Sequence, residues 1–141
     1  MLYFAYASNL SKEYMNSRCP DSIPIKKATL KDFSLTFNEL ADIKEEKGER
    51  VEGALYVISK EDLETLDRLE GYPDLYDRMI VEVKGEKNNT YEAIAYTMID
   101  KDLKSPPEHY YKLLLEGYND WNLPMDSLNE AIKKTEEASS K

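Results

Sequence analysis

Glu70 is the residue of this chain whose type and spacing first suggest chemistry. Ser59 followed three residues later by Asp62 has the form of a capping box, and Leu63, Leu66 and Leu69 recur at helical spacing until Gly71 and Pro73 end the helix. Stepping about 100° per residue places the three leucines on one stripe and Glu70 roughly 20° from Leu63, on the apolar face. Asp62, Glu64 and Asp67 fall toward the polar side or its border. A carboxylate on an apolar face is costly unless it is paired or protonated. One reading is a general acid/base whose burial raises its pKa toward neutrality, so that it can both take and give a proton. The other is a last-turn glutamate that swings to solvent or pairs with Arg68 or Arg78. Periodicity alone leaves both open.

The remaining reactive groups are sparse. Ser8 has one histidine to work with, His109, on a separate predicted helix, and no G-x-S-x-G setting, so it reads as a turn donor rather than a nucleophile. Cys19 is the sole cysteine, which excludes an internal disulfide, and no Cys/His spacing fits zinc; neither metal nor cofactor is expected. A packed thiol is the ordinary reading of Cys19, and a solvated strand arginine that of Arg78. A formal charge of -9 without a basic stripe argues against nucleic acid. No apolar run approaches about 20 residues and the first residues have no leader pattern, so a cytoplasmic protein without membrane contact is expected. Eleven tyrosines stand against three phenylalanines, a balance that suits half-buried strands or the wall of a pocket for a polar ligand.

The elements that must position these groups follow from local pattern. With 141 residues, 41% of them apolar, the chain fits one domain, 1–141, with residues from about 138 as a frayed tail. Leu2 to Tyr6 reads as a buried strand that stops at Ala7-Ser8-Asn9, and Ser11 fits the N-cap of a short helix through Arg18. From Ala28 a half-exposed strand is expected, with Phe33, Leu35 and Phe37 alternating. Glu39 to Arg50, dense in charge, is expected to be a mobile loop before a strand over Val51 to Ile58. Met79 to Val83 and Tyr91 to Met98 read as a hairpin turned at Asn88-Asn89, and Glu108 to Tyr118 and Asp126 to Glu137 as helices. Strands scattered among short helices, without βαβ spacing, indicate an α+β domain with a small, mostly antiparallel, barrel-like sheet. Trp121 and Leu123 could cover the core or form a homodimer contact.

Two separated motifs carry a family resemblance. Tyr3-Phe4-Ala5-Tyr6-Ala7-Ser8-Asn9-Leu10 resembles the N-terminal signature of the γ-glutamylcyclotransferase family, and Leu66-Asp67-Arg68-Leu69-Glu70-Gly71 is similar to its second motif. Collinear similarity extends through Arg18-Cys19-Pro20, Ala28 to Phe33, Pro106, Tyr110, Gly117 and Leu123-Pro124. The resemblance implies that Glu70 is the catalytic acid/base and that Tyr3, Phe4, Ala5, Tyr6, Ala7, Ser8, Asn9 and Leu10 bind a small-molecule γ-glutamyl substrate. It also puts Tyr76, Tyr96 and Tyr110 on the cavity wall, positions that would otherwise read as ordinary core or strand tyrosines. Ala7 departs from the signature glycine. If the position needs a positive φ or a close backbone approach, alanine imposes a penalty; at negative φ it is harmless.

The implied reaction is intramolecular: the free α-amine of a γ-glutamyl group attacks its own γ-carbonyl, closing 5-oxoproline and releasing an amino acid or amine. The attacking nitrogen must lose a proton and the leaving nitrogen must gain one, which a single carboxylate can arrange. Backbone N–H groups of Ala7 to Leu10 could hold the oxyanion or the substrate α-carboxylate, and both uses stay open. Two alternatives stand beside this expectation. One is removal of a γ-glutamyl protecting group from a biosynthetic intermediate, and the other, motivated by Ala7, is a non-catalytic binding module of the same fold.

Overall fold

The computed structural model describes residues 1–139. Strand β1 (Leu2–Ala5) leads into a single 3-10 turn (Ser8–Leu10) and helix α1 (Lys12–Arg18). Strands β2 (Ile23–Asn38) and β3 (Leu40–Val57) form a long hairpin, followed by helix α2 (Lys60–Glu70). A second hairpin, β4 (Tyr76–Gly85) and β5 (Thr90–Met98), precedes helices α3 (Glu108–Asp120) and α4 (Asp126–Ser139). The strands close a barrel in the order β1-β3-β2-β4-β5. All neighbours are antiparallel except β1 and β5, which meet in parallel at Tyr3 and Ile94. The architecture is the α+β, mostly antiparallel barrel expected from the sequence. Among the described residues no helix is long and apolar enough to cross a membrane.

The charged stretch Glu39 to Arg50 is not a mobile loop. It is the first half of β3, paired with β2 through registers such as Asn38↔Leu40, Leu35↔Ile43 and Ser34↔Lys44. The chain reverses at Glu39, which takes a φ of 65° and donates its N–H to the Lys104 carbonyl at 3.0 Å. Ala41, Asp42 and Ile43 are buried, whereas most side chains from Lys44 to Arg50 are exposed. Charge density reported the exposure of this part of the hairpin, but the backbone is satisfied by its ladder with β2 and needs no apolar pattern. The register shift between Lys31 and Phe33 absorbs the extra residues near Gly48, whose N–H reaches Asp32 Oδ1 at 2.9 Å.

Helix α2 begins as its sequence implies. Ser59 Oγ accepts from the Asp62 N–H at 3.0 Å and Asp62 Oδ2 accepts from the Ser59 N–H at 3.1 Å, the reciprocal capping box. That bond pulls Asp62, expected near the polar side, to 3% exposure. Leu66 is fully buried and Leu63 half-buried, but Leu69 is 48% exposed rather than part of the core stripe. Gly71 ends the helix at φ 70°, a left-handed conformation suited to glycine. Helix α4 continues through Ser139, past the expected end at Glu137, and residues 140–141 of the expected frayed tail lie outside the described residues.

Trp121 and Leu123 cover the core. The Trp121 indole N–H donates to the Leu10 carbonyl at 2.8 Å and its ring meets Tyr56 edge-on at 5.8 Å. Helix α3 thereby presses on the 3-10 turn, and Gly117 permits the approach. A Cβ at Gly117 would overlap the Leu10 Cβ and lie 2.8 Å from the Ser11 nitrogen. Gly117→Ala is therefore expected to lower unfolding stability by about 1–3 kcal/mol, read as a reduced urea midpoint at unchanged m-value. An unaltered midpoint would show that α3 and the turn can separate freely.

Candidate functional site

At one end of the barrel the elements leave a cavity of about 410 Å³, within the range of small-molecule sites. Strand β1 brings Tyr3, and the chain just beyond it brings Tyr6, Ala7, Ser8 and Asn9. Tyr76 comes from the start of β4 and Tyr96 from the far end of β5, while Tyr110 stands on the first turns of α3. Glu70, the last residue of α2, completes the wall. Nine of the sequence-derived site residues thus meet in one place. Phe4, Ala5 and Leu10 do not line it: all three are fully buried in the core. Strand alternation sends Phe4 to the opposite face from Tyr3, where its ring packs so close to Gly53 that a Cβ there would meet it at 2.6 Å.

Glu70 faces this tyrosine-lined space rather than the apolar core. Burial is the main cause that raises its carboxyl above the ordinary carboxylate range; Arg18, across the cavity wall, acts in the lowering direction. Neither pairing considered from sequence is made: Arg78 Nε lies 3.4 Å from Asp67 Oδ1, and among the described residues Glu70 has no hydrogen bond or ion pair. Its carboxylate is left free for whatever enters.

The tyrosines are fixed through their hydroxyls. Tyr76 donates to the Ala41 carbonyl at 2.6 Å, Tyr6 to the Tyr96 carbonyl at 2.7 Å, and Tyr96 to Asp67 Oδ1 at 2.7 Å. The Ala41 N–H donates to Tyr110 Oη at 3.0 Å. Asn9 Nδ2 donates to Tyr3 Oη at 2.9 Å, while Asn9 Oδ1 accepts from Arg18 Nη1 at 2.9 Å. Burial first, and the Glu70 charge among the further causes, pushes all five tyrosine hydroxyls far up. They are neutral near pH 7 and serve as hydrogen-bonding groups, not as bases.

Ala7 sits at φ −138°, not in the positive-φ region that favours glycine. The methyl group lines the cavity. Beside it, the 3-10 turn uses the Leu10 N–H on the Ala7 carbonyl and the Ser11 N–H on the Ser8 carbonyl, so the Ser8 and Asn9 N–H groups have no acceptor within the turn. Cys19, next to Arg18 in sequence, is not among the wall residues, and burial pushes its thiol up to about 11.

Sequence reasoning missed several wall residues. Arg18 and Tyr14 come from α1, where the guanidinium lies 4.8 Å over the Tyr14 ring. Leu40 and Ala41 come from the start of β3, and His109 and Leu113 sit four apart on α3, with His109 exposed at the mouth. The signal for the last pair was the helical spacing around Tyr110; nothing local marked Ala41.

A family model described as gamma-glutamyl cyclotransferase, AIG2-like, matches residues 3–122. A gamma-glutamylcyclotransferase of Bos taurus is 29% identical over 89% of this chain and 73% of its own length. The Homo sapiens gamma-glutamylcyclotransferase is 28% identical over 96% and 78%. A solved structure described as gamma-glutamyl cyclotransferase superposes with a TM-score of 0.82 at 27% identity, covering 96% of this chain and 86% of that one.

The free, desolvated carboxyl has a consequence for stability. A carboxyl whose folded pKa is raised contributes stability that is complete below its unfolded pKa and is lost as pH rises through the folded pKa. Glu70→Gln, which cannot ionise, is therefore expected to unfold at the same temperature as the wild type or higher at pH 7, with the difference vanishing below pH 4. A clear loss of thermal stability at pH 7 would mean that Glu70 holds a structural partner.

Proposed function

The chain belongs to the gamma-glutamyl cyclotransferase, AIG2-like family, and from that premise we propose that it cyclises a γ-glutamyl amino acid or γ-glutamyl amine to 5-oxoproline, releasing the free amine, with Glu70 as general acid/base. The observation that carries the reading is the Glu70 carboxyl, raised by burial and without a partner among the described residues in a tyrosine-lined cavity of about 410 Å³.

The substrate's α-amine attacks its γ-carbonyl carbon, a new C–N bond forms, and the carbonyl electron pair moves to oxygen. Glu70 takes the proton released by the attacking nitrogen. As the bond to the leaving nitrogen breaks, Glu70 returns that proton to it, and the carbonyl re-forms within the lactam. Protons and electrons balance without a cofactor or an enzyme nucleophile. Walls of fixed hydroxyls that hold the glutamyl chain curled would supply much of the acceleration, because well-oriented intramolecular attack reaches effective molarities of about 10⁵–10⁸ M. The Ser8 and Asn9 N–H groups are donors suited to an anionic oxygen of the glutamyl group. Alanine at position 7, at its negative φ, gives no ground for preferring a non-catalytic module.

Incubation with a panel of γ-glutamyl dipeptides and γ-glutamyl amines should release 5-oxoproline from at least one; none from any would overturn the reading. Glu70→Gln should retain substrate binding and lose kcat by about 10²–10⁴-fold, and near-normal kcat in that variant would remove Glu70 from the mechanism. Glu70 must be ionised to accept the first proton, so kcat/KM should fall as pH drops through the raised Glu70 pKa. The acid limb should therefore lie above the ordinary carboxylate value of 4.5.

A further inference from the structure

Six tyrosines line the cavity, and the five besides Tyr14 differ in where their hydroxyl protons go. Tyr6, Tyr76 and Tyr96 give theirs to the Tyr96 carbonyl, the Ala41 carbonyl and Asp67. Tyr110 accepts from the Ala41 N–H and has the Ser8 hydroxyl beside it as a second partner. Tyr3, like Tyr110, accepts and keeps its own proton, but for Tyr3 this is dictated by a chain of side chains that ends on a group able only to donate.

Arg18 carries five N–H donors and no acceptor. Its Nη1 lies 2.9 Å from one end of the Asn9 amide, so that end must be the oxygen. The opposite end, 2.9 Å from Tyr3 Oη, must then be the NH₂ group and must donate. Tyr3 oxygen is thereby an acceptor, and its own proton is left to point elsewhere. Asn9 is 2% and Tyr3 5% exposed, so water has little access with which to scramble this order. The Tyr3 ring is held edge-on against Tyr96 at 6.1 Å, and the Tyr96 hydroxyl is tied to Asp67. Arg18 is itself seated over the Tyr14 ring. Tyr3 lines the same cavity as Glu70.

We propose that Arg18 is a positioning residue which, through Asn9, fixes the Tyr3 hydroxyl as a hydrogen-bond donor to the substrate γ-carbonyl oxygen as that oxygen becomes an oxyanion; this rests on the cyclotransferase reading above. The donor is strongest when its oxygen already accepts a bond, because Asn9 polarises the O–H further. It costs no reorganisation at the moment of attack, which is the condition under which such donors matter most. Arg18 does not touch the reacting atoms and acts by setting the direction of two hydrogen bonds.

Asn9→Asp tests this with almost no change of shape. A carboxylate at position 9 still accepts from Arg18, but it offers Tyr3 only another acceptor, so the Tyr3 proton turns away from the substrate. Removal of one oxyanion donor is worth about 10²–10³-fold in kcat. Tyr3→Phe is expected to lose about 100-fold in kcat with little change in KM, and Asn9→Asp to lose as much. The double variant should be no slower than Tyr3→Phe alone. Arg18→Lys, still a donor-only cation, should keep most of kcat, whereas Arg18→Gln, whose amide can present either end, should lose about tenfold or more. Each variant is assayed for 5-oxoproline release at its own pH optimum, because a charge at position 9 also acts on Glu70. Asn9→Asp within about threefold of wild type, or losses that multiply in the double variant, would overturn the proposal. If Asn9→Asp does not fold by circular dichroism, the Arg18→Lys against Arg18→Gln comparison decides, and equal kcat in the two overturns it. A wild type that releases no 5-oxoproline would instead overturn the cyclotransferase reading, and the positioning role with it.

Discussion

Removing a carboxylate from bulk water without giving it a partner costs free energy, and the architecture around Glu70 is organised to sustain that condition. The fold contains buried carboxylates of another kind. Asp42, 1% exposed, accepts from the Ile43 and Met98 N–H groups at 2.8 Å each, from Thr97 Oγ1 at 3.2 Å and from Lys101 Nζ at 2.9 Å. Asp62 is closed into its capping box. These two have the saturated partners expected of structural carboxylates, and among the described residues Glu70 has no hydrogen bond or ion pair. The contrast within one small protein is the strongest physical ground for treating Glu70 as a working group.

Asp42 also shows how the barrel holds its pocket. By bonding β3 to β5 it fixes the strand on which Ala41 sits, and Ala41 presents its carbonyl to Tyr76 and its N–H to Tyr110. One backbone unit thus anchors tyrosines from β4 and α3, elements far apart in sequence. Asp67, three residues before Glu70, anchors Tyr96 and Arg78 in turn. The cavity wall is therefore a network of neutral hydroxyls tied to the strands, with the one unpaired carboxylate set among them.

Much of this was legible in the sequence. The capping box at Ser59, the stop at Gly71 and the alternation at Phe33, Leu35 and Phe37 are local signals whose meaning does not depend on the rest of the chain, and the elements form where those signals place them. The two motifs located Glu70 and the turn that faces it. The charged half of β3 was not legible, because exposed strand residues carry no apolar alternation when their ladder alone satisfies the backbone. Leu69 was misplaced because helical spacing defines a stripe but not where the neighbouring surface ends. Ala41 could not be found at all: its role is carried by its peptide groups, which every residue type shares. Arg18 was visible only as part of a collinear match, since its action passes through Asn9 and is set by three-dimensional contact.

The central claim is that Glu70 is half-buried and, among the described residues, unpaired, so that its carboxyl stays protonated to higher pH than an ordinary glutamate. Carbon-13 NMR of protein labelled at the glutamate side-chain carboxyl, with Glu70 assigned by its loss in Glu70→Gln, measures this directly in the free enzyme. The account predicts that the Glu70 signal titrates clearly above 4.5, and moves higher still when Arg18 is replaced by Gln. A Glu70 carboxyl that titrates at or below 4.5 would contradict it.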